Sequence, residues 1–347
     1  MTILGAGNIF SIIREIDLSK TKAEAETRFT LLLTGQEDLA RALALKLSED
    51  SGKAGVHPWL VVDEPLASSA LGHYDLALFV SARLEPGEED RRRLRHLQEA
   101  GVPVLAVVVS DELSDRVGAE VPRPLERARV VLPSSLAPQD LKSRLPPALL
   151  QAAGQPLRLS LARQLPLLRR PAVQDLVEET SRANALYTAS SGFAKVVPIL
   201  NIPLNVADIV VLTKNQLVMA YKIALMTGKS GEPRDVLGEI VGVVGGGFFF
   251  RQVARELVGL VPVIGIVPNV AVSYAGTKVI GHSVYTWACQ GKNLDRGELR
   301  QFYQEALEQG RRVARMLVGR LRRREKAALP PPREEEPREE PREEKLN

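Results

Sequence analysis

The chain has a single cysteine, Cys289, which excludes an intramolecular disulfide and fits a reducing compartment. Its four histidines, His57, His73, His96 and His282, are scattered without ligand spacing, which argues against a metal site. Neither sign of charge is in large excess: the formal net charge is +4, so the pI of about 9.2 reflects local clusters. The first residues lack the basic, apolar and small-residue succession of a secretory signal, and none is expected. A membrane-spanning helix needs about 20 apolar residues. Only 257–277 reaches that length, and Pro262 and Pro268 interrupt it, which fits a turn between helices better than a straight span. What is present is 347 residues, 45 % hydrophobic and 25 % charged, enough for two domains with cores of their own.

Two uncharged stretches stand out, VVPILNIPLNVA at 196–207 and LVGLVPVIGIVPNVAVSYAGT at 257–277. They nearly repeat, with Pro198, Asn205, Val206 and Ala207 matching Pro262, Asn269, Val270 and Ala271, each 64 residues on. Residues 1–28 read as an amphipathic helix lying on the domain that follows, with Ile9, Ile12, Ile13 and Ile16 at helical spacing. From 29 to 150 short apolar runs alternate with helical stretches, the pattern of an α/β layer. Strands are expected at 29–35, 59–63, 75–81, 102–110 and 129–132, with helices at 37–47, 88–101 and 138–150. Continuous apolar runs predict a largely parallel sheet buried on both faces.

The loops after these strands carry the next signal. GQEDLARA (35–42) follows the first strand, Asp63-Glu64-Pro65-Leu66 the second, and Val109-Ser110-Asp111-Glu112 the fourth. In order and placement this half resembles a small Era-type GTPase domain. That family wraps phosphates with G-x-x-x-x-G-K-[ST], uses glycine geometry, a lysine and a magnesium-binding hydroxyl, and reads guanine through an Asn-Lys-x-Asp loop. Gly35 keeps the first glycine, but Ala40, Arg41 and Ala42 occupy the other three key places. The resemblance therefore leaves only Gly35, Arg41, Asp63 and Glu112 as vestigial nucleotide positions, and Glu37 and Asp38 add repulsion toward phosphate. It implies a degenerate domain with no cofactor, no metal and no catalysis. A domain that still binds nucleotide weakly, and an unrelated α/β domain, stay open.

Residues 151–172 are rich in Leu, Arg and Pro and read as a basic linker with a short helix, carrying Arg158, Arg163, Arg169 and Arg170. Beyond it, 173–292 reads as a helical domain with helices at about 173–196, 205–228, 235–260 and 269–290. Asp208, Asn215 and Lys222 recur every seven residues on the second helix. Gly238, Gly242 and Gly246 permit close helix approach on the third. Lys278 and His282 interrupt an otherwise apolar fourth, where His282 reads as a packed or interfacial residue.

The turn PILNIPLNVAD (198–208), Gln216 with Met219 ahead of Gly228, and VPVIG (261–265) give this half a resemblance to the YcjF-like helical module, which accompanies Era-like domains. The resemblance implies membrane association. The fold class is then α/β plus all-α: a GTPase-like layered parallel sheet, a helical-hairpin bundle whose two uncharged tips share one end, and a tail.

Residues 293–325 continue as a basic amphipathic helix with Leu299, Phe302, Tyr303, Leu307, Val313 and Leu317 on its apolar face. Arg311, Arg312, Arg315, Arg320, Arg322, Arg323 and Arg324 lie close together with no acid between them, as membrane-surface candidates. Residues 326–347 repeat Pro, Arg and Glu and hold too little apolar surface to fold. At the tips, the membrane-contact candidates are Val197, Ile199, Leu200, Ile202, Leu204, Leu260, Val261, Val263, Ile264, Ile266 and Val267. An even number of crossings would put the arginines on the side of the α/β domain, with both cytoplasmic.

Three functions compete. The first is a non-catalytic scaffold or regulatory protein bound to membrane lipid, possessing a second GTPase or a second copy of itself as partner. The second is a genuine GTP-binding membrane switch, and the third a soluble interaction module of the cytoplasm. Nucleic acid is disfavoured, because no aromatic side chain is interleaved with the arginines to stack on bases.

Overall fold

The structure, a computed structural model, describes residues 6–49, 60–62, 73–83, 86–109, 129–131, 135–194, 206–243 and 266–328. The N-terminal segment forms two helices, Ala6–Glu15 (α1) and Ser19–Glu26 (α2), where one was expected. The break falls at Asp17, whose Oδ1 accepts from the Ser19 backbone N–H at 2.9 Å and from the Ser19 hydroxyl at 2.6 Å. Such local side-chain bonds compete with helix continuation.

Five strands follow the expected runs: Leu31–Gly35 (β1), Leu60–Val62 (β2), Leu76–Ser81 (β3), Val104–Val108 (β4) and Arg129–Val131 (β5). All pairs are parallel, in the order β2-β1-β3-β4-β5, with Leu33 opposite Val62 and Leu78, and Val107 opposite Val80 and Val131. The three helices of this half are Glu37–Ser48 (α3), Glu88–Glu99 (α4) and Pro138–Gln164 (α5). Each sheet face is covered, which is why the strands are apolar throughout. Leu31, Leu33 and Leu78 share a core with Leu43 and Leu47 of α3 and Leu141 and Leu145 of α5. Leu32, Ala77 and Phe79 pack with Leu94 and Leu97 of α4 on the other face.

The stretch 151–172 is a correction. It is not a linker but the second half of α5 and the start of Pro166–Ala194 (α6). Leu159, Leu161, Ala162, Leu165, Leu168 and Ala172 are buried. Two of the prolines that suggested a linker sit where helices tolerate them, while Pro171 lies inside α6. Pro166 opens α6, and Pro156 follows a kink at Gly154, whose φ of 73° is left-handed. Arg163, far from being merely solvated, donates to the carbonyls of Leu225 at 3.0 Å and Lys229 at 2.6 Å.

The remaining helices are Val206–Met226 (α7), Pro233–Val243 (α8), Ile266–Gln290 (α9) and Arg296–Ala328 (α10). Contacts along their lengths fix the directions. Arg163, just ahead of α6, meets Lys229, just after α7, while Asn184 meets Asn215, so α6 and α7 are antiparallel. His282 stacks on Phe302 with ring centroids 4.2 Å apart, and further along Gly310 lies against the Ala271 carbonyl, so α9 and α10 are antiparallel too. An ideal Cβ at Gly310 would stand 2.5 Å from that oxygen, so only glycine lets the helices approach this closely. The buried core runs without a break from the sheet through α5 into α7, α8 and α9. The N-terminal segment, expected to lie on the domain that follows, reaches both halves: α1 packs on α7 and α8, and α2 on α5 and α7. Ion pairs from Glu15 to Lys214 and from Lys22 to Glu232 accompany the buried Ile9, Ile12 and Ile13.

Candidate functional site

The C-terminal edge of the sheet is where a doubly wound fold takes ligands, at the point where the chain reverses its strand order. Here that point lies between β1 and β3, and among the described residues it is closed. Gly35 ends β1 with φ 105°, and an ideal Cβ on it would meet the Val80 carbonyl oxygen at 2.3 Å. The next backbone N–H, that of Gln36, donates to the same oxygen at 2.8 Å. Residue 37 already begins α3, so one residue joins strand to helix. The partial positive charge at the start of α3 meets Glu37 and Asp38 in its first turn. Arg41 pairs with Glu37 at 3.0 Å, with both side chains well exposed. Of the four vestigial positions, Gly35 and Arg41 are thus near one helix start without forming an anion cradle. Asp63 and Glu112 lie outside the described residues.

A second constellation lies inside the bundle. Asn184 (α6), fully buried, donates through Nδ2 to Thr277 Oγ1 (α9) at 3.0 Å and accepts at Oδ1 from Asn215 (α7) at 2.8 Å. Gln216 donates to the same Thr277 oxygen at 3.1 Å, so three helices are tied at one level. One turn away, Glu178 accepts from Lys278 Nζ at 2.8 Å, from the Tyr274 hydroxyl at 2.7 Å and from Arg182. Burial pushes the Glu178 carboxyl up, but the hydrogen bonds from Lys278, Tyr274 and Arg182, with the charge of Lys278, outweigh it and bring it down to about 2. Burial, and then the bond to Glu178, raise the Tyr274 hydroxyl well above its ordinary value. This is a clasp between α6 and α9. Lys278 was visible in the sequence as a charge on an apolar helix, but its partner Glu178 was not, and the Asn215 stripe instead meets Asn184. His282 is half-buried against Phe302, and burial holds its pKa below the ordinary value.

The third candidate is the far end of the bundle. The end of α6, the start of α7 and the start of α9 run toward this end from the level at which Asn184 bonds Asn215 and Thr277. The opposite ends of α7 and α9 converge near Arg163 of α5, the helix that packs on the sheet, with Lys229 Nζ 4.5 Å from the Trp287 ring centroid. Ile266 and Val267 are half-buried at the start of α9, against a small cluster of Ala185, Ala189, Val270, Ala271 and Ala314. Val197, Ile199, Leu200, Ile202, Leu204, Leu260, Val261, Val263 and Ile264 lie outside the described residues. Since α10 passes Ala271 at Gly310, its arginine-rich part continues toward this same end. That sets the arginines at the end of the bundle away from the α/β half. Arg311, Arg312, Arg315, Arg320, Arg322 and Arg323 are all exposed, and Arg324 is within the helix.

Comparison with protein-family models, curated proteins and solved structures finds no match. Among the described residues no helix is long and apolar enough to cross a membrane, and no group of three or more His, Cys, Asp or Glu is placed to hold a metal ion.

Proposed function

We propose that this chain is a non-catalytic, GTPase-like scaffold or regulatory protein whose hairpin-built helical half associates with the cytoplasmic side of a membrane. The observation that carries the first half is the one-residue passage from β1 to α3. A phosphate loop works by presenting successive backbone N–H groups to the anion. Here the N–H of Gln36 is committed to Val80, and two carboxylates follow it. The parallel sheet supports the family resemblance in a limited way: its order puts Gly35 and the strand ends before Asp63 and Glu112 on one edge, where that family keeps its nucleotide loops. The uncharged, proline-broken segments at 196–207 and 257–277 support the second half.

Titrating the purified protein with a fluorescent GTP analogue, with and without magnesium, tests the emptied site. No saturable binding in the micromolar range is expected. Magnesium-dependent binding with turnover would replace this reading with a GTP-binding switch. Cell fractionation tests the membrane half: complete recovery in the soluble fraction at low salt without detergent would favour a soluble interaction module.

A further inference from the structure

We infer that the arginine face of α10 is a docking surface for an anionic phospholipid leaflet, which holds the molecule end-on with its sheet directed away from the bilayer. The inference rests on the membrane reading above and names the lipid chemistry and the orientation. At about 100° per residue, Arg311, Arg315 and Arg322 lie within about 40° of one another and Arg312 and Arg323 within about 120°. The flank of the same turns packs on the bundle, with Ala314 and Val318 buried and Leu317 and Leu321 partly buried.

None of these arginines forms an ion pair with a described residue, although Glu308 stands on the same face. Elsewhere this chain pairs its arginines with a glutamate four residues earlier: Arg41 with Glu37, Arg92 with Glu88, Arg93 with Glu89 and Arg182 with Glu178. The position four residues before Arg311, Arg315, Arg320, Arg322 and Arg323 holds Leu307, Arg311, Met316, Val318 and Gly319 in turn. Only Arg312 has an acid there, Glu308, and the two form no ion pair. A row of unpaired guanidinium groups suits phosphate oxygens, which they bind in pairs of hydrogen bonds. The large apolar side chain exposed among them is Met316, at 43 %. No aromatic residue stands on this face for stacking bases, so a headgroup phosphate fits better than a nucleic acid. Placement adds the last argument. The face runs past the start of α9, whose first residues Ile266–Ala271 carry no charge.

The test is sedimentation of the full chain with vesicles of phosphatidylcholine alone, or with about 30 % phosphatidylglycerol, at roughly 50 mM and 300 mM salt. Binding at least tenfold tighter to the anionic vesicles is expected, and weaker at the higher salt. Each arginine at such a surface is worth about fivefold in partitioning, so the triple variant R315Q/R322Q/R323Q should lose about 100-fold at low salt. The control R92Q/R93Q, on α4, should lose little while its far-ultraviolet circular dichroism stays unchanged. Equal binding to both vesicle types would overturn the arginine docking while leaving the membrane reading in place. Equal losses in the two variants would reduce the effect to net charge and overturn it as well. Failure to bind either vesicle would remove the membrane reading and this inference together.

Discussion

Glu178→Leu measures what the clasp between α6 and α9 contributes. The carboxylate serves three donors, and the consequences for each follow from burial. Tyr274 is 2 % exposed, so its hydroxyl would be left in the core without the acceptor it now has at 2.7 Å. An orphaned buried hydroxyl costs about 1–3 kcal/mol. The Lys278 side chain keeps 21 % of its surface and can turn its ammonium to water, so the lost charge pair adds about 1 kcal/mol. Arg182 is mostly exposed and adds little. Leucine returns about 1 kcal/mol by burying its own surface. The net loss is about 1–3 kcal/mol, read as a shift of the denaturant midpoint at constant m-value. The diagnostic is the double variant: adding Tyr274→Phe to Glu178→Leu removes the orphan and should restore about 1–2 kcal/mol, although Tyr274→Phe alone destabilises. A loss below about 1 kcal/mol, or simple additivity of the two changes, would refute the clasp.

Three further outcomes follow from the same geometry. Gly310→Ala forces a Cβ to within 2.5 Å of the Ala271 oxygen, so overpacking of about 1–3 kcal/mol outweighs the ~1 kcal/mol gained in helix propensity. Gly319→Ala in the same helix meets nothing within 4 Å and should stabilise by up to about 1 kcal/mol, so thermal melts of the two variants should move in opposite directions. Arg163→Met removes the guanidinium that caps the carbonyls of Leu225 and Lys229, and should cost about 1–3 kcal/mol in urea unfolding. Glu178 has a folded pKa lowered from 4.5 to about 2, so its contribution is fully present above the unfolded value and is lost as pH falls through that window. With its side chain 30 % exposed the contribution is discounted to about 1–2 kcal/mol, and acid titration of wild type against Glu178→Gln should show the difference vanish below that window.

How legible each part was depended on the range of the interaction that decides it. The strands were readable because runs such as Leu76–Ser81 are buried on both faces, and burial of that kind leaves its mark residue by residue. The emptied phosphate loop was readable as missing residue types, but its closure was not. That depends on Gln36 reaching Val80, which the sequence places 44 residues away. Composition misled at 151–172, where leucines that fill a core and prolines that open helices gave the same signal as a flexible connection. Glu178 gave no signal of its own, because Tyr274 and Lys278 reach it from about 100 residues downstream. The arginine cluster was evident by count, yet its position was not. The direction of α10 along α9 shows only where Phe302 meets His282 and Gly310 meets the Ala271 carbonyl.

The shared core bears on whether the sheet edge can act as a switch. Admitting a phosphate between β1 and β3 requires breaking the Gln36–Val80 bond and lengthening a one-residue connection, which means displacing α3. Leu43 and Leu47 of that helix are fully buried, in a cluster that continues into the bundle. Uncovering these two leucines alone costs about 3–6 kcal/mol. Arg41, the cation the loop retains, is exposed and already paired with Glu37, so an ion pair made there returns about 1 kcal/mol or less. The opening is therefore opposed by several times what it would gain. On the proposed reading, the chain's recognition chemistry belongs at the other end of the bundle, where exposed arginines have no carboxylate among the described residues to displace before they bind.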